Sequence, residues 1–311
     1  MAPRIGYVDS SQAVFDPAAH AAAHPPAAFF ANWDPAVDND AHDHDLLCAE
    51  LSRLAYADEA TVRDALRCPS FTTVDFIGGD GLKARVATLG TQGFVATNPA
   101  SGLTVVAFRG TESGKIDDLV TDARASQRPW PESTARVHAG FLDCYLRVRL
   151  RVADLVAAQT GGAAPAQRRG TLLLTGHSLG GALATLAAID LQPTAVVTFG
   201  SPLVGDAALG ALLGDVPVRR YVDCCDLVAR LPPERVDREN VARLLTELAD
   251  TARLGRRRRS LAGRAIRGVA RGVDGLFADS GKAPDYAHLG TLYYIDRNGY
   301  LDRNGGDERA R

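Results

Sequence analysis

Lysine is nearly missing from this chain: of 35 basic residues only Lys83, Lys115 and Lys282 are lysines. Alongside the abundant alanine this is a compositional bias with little functional content. The chain also lacks net charge. Its 35 basic and 37 acidic residues leave −2 at pH 7, so no global field gathers nucleic acid. Cysteine is sparse, five in all, an odd number without metal-type spacing. Cys224-Cys225 is the one close pair, and adjacent cysteines rarely bridge, so reduced thiols are expected. No apolar run is long enough to span a bilayer, and residues 1–4 lack a charged-then-apolar leader. These features point to a cytoplasmic protein, or one exported without a recognisable signal peptide. No internal repeat is visible. His42-Asp43-His44-Asp45 reads as a solvated helix start, with Asp43 or Asp45 near the N-cap, rather than a metal cluster.

What remains is ample for a core. A hydrophobic fraction of 46% over 311 residues suits one large α/β domain, or a domain with an insertion. Residues 1–42, rich in Ala, Asp and Pro, read as a loosely ordered arm, and the domain as 43–311. Leu47, Leu51, Leu54, Ala55 and Leu66 predict a packing helix over 46–66. Strands are expected at 71–77, 83–89, 93–97 and 103–108, joined by the turns Gly78-Gly79-Asp80-Gly81 and Asn98-Pro99-Ala100-Ser101-Gly102. An antiparallel portion therefore precedes a parallel one. Beyond it the pattern alternates: a strand at 195–199, a helix at 203–213, a strand at 218–222, and a last strand at 292–296 before the turn Asn298-Gly299. That alternation predicts a mostly parallel central sheet with helices on both faces.

The chemistry centres on Thr171-Leu172-Leu173-Leu174-Thr175-Gly176-His177-Ser178-Leu179-Gly180-Gly181-Ala182. An apolar strand runs into Gly-x-Ser-x-Gly, and an Ala- and Leu-rich helix follows to about residue 189. This is the context in which a sharp turn lifts a serine hydroxyl clear of a sheet. A serine hydroxyl needs a base, and the base an orienting carboxylate. His288 is the single histidine downstream of Ser178. If the order Ser, acid, His holds, elimination makes it the base. Asp223 and Asp226 are both available as the acid from spacing, Asp226 lying farther past its strand. The oxyanion hole needs the Leu179 N–H and a second amide from the loop leaving an earlier strand, for which Thr111 in Arg109-Gly110-Thr111 is the candidate.

Several blocks resemble, in order, those of the class 3 lipase family. They are Phe108-Arg109-Gly110-Thr111, Asp118-Leu119-Val120-Thr121-Asp122, Val137-His138-Ala139-Gly140-Phe141, the Ser178 block, Phe199-Gly200-Ser201-Pro202-Leu203-Val204-Gly205-Asp206, and Tyr286-Ala287-His288-Leu289-Gly290. The resemblance covers roughly 45–232 and 284–300. It implies an α/β-hydrolase fold, hydrolysis of carboxylic esters (usually acylglycerols) and no cofactor. Asp226-Leu227-Val228-Ala229-Arg230-Leu231-Pro232 matches the family's Asp-x-Val-x-x-Leu-Pro block, which selects Asp226 over Asp223. The carry-over gives Ser178, Asp226 and His288 as catalytic residues, Thr111 and Leu179 as oxyanion donors, and structural positions for His138 and His177. Leu119 stands where many members carry Trp. The segment Glu112-Ser113-Gly114-Lys115-Ile116 is short and polar where fungal members carry an amphipathic lid. A phospholipase A1 or a monoacylglycerol-type lipase is the neighbouring reading. A catalytically silent binding module on the same fold is the reading from another class.

Residues 234–283 read as an insertion that the family pattern does not require. The stretch 253–273 holds eight Arg and no acid. At about 100° per residue, Leu261, Ala265, Ile266, Val269, Val273, Leu276 and Phe277 share one helical face, opposite Arg264, Arg267 and Arg271. From Arg253 to Phe277 this has the make-up of a helix on an anionic membrane surface, or of a lid in place of the missing one. A helix packed on the domain with a solvated Arg face has the same pattern. No nucleic-acid partner is expected.

Overall fold

The structure, a computed structural model, describes residues 41–67, 71–78, 93–110, 126–162, 164, 167–223, 226, 228–230, 232, 285–295 and 301–303. The expected arm before residue 41, the strand at 83–89 and the insertion at 234–283, with Arg253 to Phe277, lie outside these residues. So do Thr111, the polar segment 112–116 and Leu119.

Among the described residues two helices come first, α1 (Ala41–Leu54) and α2 (Glu59–Arg67). The strands β1 (Thr73–Phe76), β2 (Gly93–Asn98) and β3 (Leu103–Phe108) follow, then the short pair β4 (Gln127–Pro129) and β5 (Arg136–His138). The long helix α3 (Ala139–Thr160) leads to β6 (Thr171–His177), α4 (Leu179–Leu191), β7 (Ala195–Phe199), α5 (Ala207–Leu212) and β8 (Val218–Asp223). The last described strands are β9 (Thr291–Ile295) and β10 (Leu301–Arg303). Eight of these strands form one sheet in the order β1-β2-β3-β6-β7-β8-β9-β10. From β3 through β9 the pairings are parallel, while β1, β2 and β10 join antiparallel. The antiparallel-then-parallel reading of the sequence holds.

Strand alternation sorts the core onto two faces. Val106, Phe108, Leu172, Leu174 and Val196 pack with Phe141, Val148, Leu183 and Leu186 on the α3/α4 side. Val105, Ala107, Leu173 and Val197 pack with Leu47, Leu51, Leu54 and Leu66 on the α1/α2 side. With both faces covered, β3 is buried along its whole length, as expected of parallel strands under helices. At ~25 cal/mol per Å² of apolar area, each fully buried Leu or Phe here contributes about 1.5–3 kcal/mol. Helix α4 is apolar all round, with eleven of its residues buried, as a helix at the centre of a domain must be.

Two helix boundaries differ from the sequence reading. The single helix expected over 46–66 is two, because Asp58 starts a new one. Its Oδ1 accepts the Thr61 N–H at 2.9 Å, an N-cap. The helix expected at 203–213 begins only at Ala207, where the Asp206 side chain accepts from the Leu209 N–H. Asp45 is not a cap either. It is buried, its two oxygens accepting from Arg219 Nε and the Tyr221 hydroxyl at 2.6 Å each, and it ties α1 to β8.

On the opposite side Asp190 joins α4 to α3. It accepts from the Tyr145 hydroxyl at 2.5 Å and from two Arg149 nitrogens at 2.7 Å. Asp190→Ala strands a buried hydroxyl and a half-buried guanidinium. It should lower stability by about 2–4 kcal/mol, read from urea unfolding midpoints, whereas Asp190→Asn should lose less.

Candidate active site around Ser178

The turn between β6 and α4 is built on the absence of side chains. A Cβ on Gly176 would overlap the Gly180 carbonyl, and one on Gly180 would overlap the Phe108 carbonyl at the end of β3. Strand, helix and neighbouring strand thus touch backbone to backbone. Ser178 sits at their junction with φ 56° and ψ −126°. A non-glycine residue there holds on the order of 1–3 kcal/mol of strain, which surrounding structure must impose. The Ser178 N–H donates to the Phe199 carbonyl at 2.9 Å, and its carbonyl accepts from Gly181 N–H at 2.9 Å. The residue is 2% exposed. Leu179 opens α4, so its amide lies in the first turn, where N–H groups have no intrahelical acceptor and the helix dipole favours negative charge.

Asp226 follows β8 at the same edge. Its Oδ1 accepts from the Val228 N–H at 2.9 Å. Its Oδ2 occupies the space that a Cβ on Gly200 would fill, and His177 Nε2 is 3.6 Å from that same point. Gly200, just past β7 with φ 55°, thereby lets the carboxylate lean back over β7 toward the Ser178 turn. Asp223, the other candidate, is the last residue of β8.

The backbone near His288 approaches the sheet from its other edge. His177, Phe199, Tyr221 and Tyr293 form one row across β6 to β9. Ser178 is one residue beyond that row. Gly290 is three residues before it and abuts Val218, where β8 begins. Four residues of strand rise put about 13 Å between the two levels, and β6 and β8 are about two spacings of ~4.8 Å apart. His288 is two residues from Gly290, a span of at most about 7 Å. Its neighbours are anchored where they are. The Ala287 N–H donates to Gly205 at 2.8 Å, and the Asp285 carbonyl accepts from Gln127 Nε2 at 2.7 Å. The chain therefore enters β9 at the edge where the parallel strands start, while Ser178 and Asp226 stand where they end. Elimination by chain order carries no information about strand direction.

The two other site-region histidines, His138 buried and His177 half-buried, are neutral. His138 caps α3, its Nδ1 accepting the Phe141 N–H at 3.3 Å. Burial holds it down at a pKa of about 4. His177 is likewise depressed to about 4 by burial, with its Nδ1 2.9 Å from the Tyr56 hydroxyl. Tyr56 was missed by sequence reading, absorbed into the helix expected over 46–66. The signal was the Asp58-x-x-Thr61 cap two residues on, which marks a break and hence a residue free to turn toward the site.

A strand–serine–helix turn at the carboxyl edge of a parallel sheet, with an aspartate past a later strand, defines the α/β-hydrolase class. Residues 105–236 match the family described as Lipase (class 3). The match is to that segment, 132 of the chain's 311 residues. The Rhizomucor miehei lipase is 33% identical over 155 residues, 46% of this chain and 41% of that one. The phospholipase A1 EG1 of Oryza sativa subsp. indica is 30% identical over 158 residues, 41% and 35% of the two chains. The crystal structure of a lipase from Rhizopus microsporus var. chinensis superposes with a TM-score of 0.56 at 22% identity, over 86% of this chain and 79% of that one, a likeness of fold. The chain spans less than half the length of the curated relatives it matches.

The two depressed histidines set an acid limit on stability. Unfolded, each titrates near its ordinary 6.5; folded, near 4. Between those values the unfolded chain binds more protons, so stability falls as pH drops from about 6.5 to 4, by at most about 3 kcal/mol per histidine. Urea midpoints at pH 7, 5.5 and 4.5 should decline in that order. His138→Asn keeps a capping acceptor without the titration and should flatten the decline.

Proposed function

We propose that the chain is a serine carboxylic-ester hydrolase of the lipase type, acting on acylglycerols through an acyl-enzyme, with Ser178 as nucleophile. The observation that carries the reading is the Ser178 backbone, held at positive φ between β6 and α4. Such a turn is costly unless the hydroxyl must be presented. A general base at the carboxyl edge takes the Ser178 proton as the oxygen attacks the ester carbonyl. The oxyanion is held by the Leu179 amide and, in this reading, by that of Thr111, each donor being worth about 3 kcal/mol. The base returns that proton to the departing alcohol, and then deprotonates the water that releases the acyl group. Asp226 is the carboxylate that orients the base. The base must reach the carboxyl edge beside Asp226, and in this reading it is not His288, whose segment enters β9 from the strand-start edge. A phospholipase A1 activity is the neighbouring version, with Arg253 to Phe277 meeting anionic lipid. Removal of residues 253–277 without change in binding to anionic vesicles would dispose of that contact.

The position of His288 favours a second reading, a catalytically silent binding module on the same fold. A fluorophosphonate probe and p-nitrophenyl esters separate the two. The hydrolase reading expects labelling at Ser178 and turnover, both abolished by Ser178→Ala in a chain that still melts cooperatively. A wild-type chain that neither labels nor turns over establishes the silent module. His288→Ala should leave the labelling rate within about threefold. Its loss with the fold intact would return His288 to the role of base.

A further inference from the structure

We infer that Tyr56 is a positioning residue for the proposed ester hydrolysis, its hydroxyl pinning the end of β3 to the turn that carries Ser178. The inference rests on the hydrolase reading for its kinetic part. Tyr56 stands at the break between α1 and α2, its N–H bonded to the Arg53 carbonyl at 3.2 Å. From there its side chain reaches the carboxyl edge of the sheet. Its oxygen meets two groups from two strands. One is the Gly110 backbone N–H, two residues past β3 and directly before Thr111. The other is His177 Nδ1 at 2.9 Å, the residue directly before Ser178. Glycine at 110 is required by this junction, since a Cβ there would overlap both the Tyr56 hydroxyl and the His177 carbonyl, and would lie 3.4 Å from Ser178 Cβ. The Arg109 guanidinium lies 5.6 Å from the centre of the Tyr56 ring, a cation–π contact on the same loop.

The proton inventory makes the brace directional. Burial raises the Tyr56 pKa well above its ordinary value, so the phenol keeps its one proton. It accepts the Gly110 N–H and gives its own proton to His177 Nδ1. Neutral His177 is then the Nε2–H tautomer, with that N–H turned toward the space at Gly200 where the Asp226 carboxylate lies. One hydroxyl thus couples the loop leading to Thr111, the nucleophile turn, and the side of the site that holds the carboxylate. Without it the Gly110 amide and His177 Nδ1 lose a shared partner, and the end of β3 is no longer fixed against the Ser178 turn. Displacements of about 1 Å remote from the reacting atoms cost about 100-fold.

The test uses the full chain. Tyr56→Phe keeps the ring and removes only the oxygen. It should lower kcat on p-nitrophenyl butyrate, and the rate of Ser178 phosphonylation, by about 10–100-fold, with KM within about twofold of wild type. An unchanged kcat, or a change in KM alone, overturns the inference. Nitrogen-15 shifts of the wild-type histidines need no variant and decide the hydrogen-bond direction: His177 should be the Nε2–H tautomer, and an Nδ1–H tautomer overturns the brace. A wild-type chain with no labelling and no turnover sinks the hydrolase reading and the kinetic claim with it, while the tautomer result still judges the brace.

Discussion

Three backbones meet without side chains between them at the Ser178 turn, and much of the fold follows from that contact. Gly176 lets the end of β6 touch the start of α4, and Gly180 lets α4 touch the end of β3. Because β3 and β6 are neighbours in the sheet, the approach fixes α4 at one height and one angle over the strands. That helix is buried on every side, so it has no freedom to slide outward. The strained φ of Ser178 is what remains when both ends of the turn are held.

The polar contacts around the sheet serve the same constraint from two sides. Asp45 fastens α1 to β8 through Arg219 and Tyr221. Inside the same face the Thr175 hydroxyl bonds the Ser52 hydroxyl at 2.8 Å and the Val197 carbonyl at 2.8 Å, linking α1, β6 and β7. Asp190 fastens α4 to α3 on the other face. Each is a buried or half-buried polar group that is satisfied, which rigidifies a core where an unsatisfied one would weaken it.

What sequence reading could see was local. Runs such as Leu103 to Phe108 and Thr171 to His177 declare themselves strands, and Gly-x-Ser-x-Gly between strand and helix declares its turn, because each signal lies within about a dozen residues. The order of antiparallel and parallel portions followed from the connection lengths. What sequence reading could not see was height along the sheet. His288 and Asp226 each lie close to a strand in the chain, yet β8 precedes Asp226 while β9 follows His288, and this places the two toward opposite edges. Tyr56 was hidden for a different reason. A four-residue interruption of a helix leaves the apolar periodicity on both sides almost intact, and the side chain that turns into the site belongs to the interruption.

The partners of α1 have a bearing on how the chain is made. Asp45 waits for Arg219, 174 residues later, and Ser52 waits for Thr175, 123 residues later. During synthesis, at roughly 5–20 residues per second, α1 emerges with a carboxylate that has no cation and an apolar face that has no sheet. It must remain uncommitted for roughly ten to thirty seconds while everything it packs against is translated. Contacts of such long separation make folding slow. They also leave the apolar face of α1 uncovered until β8 has left the ribosome.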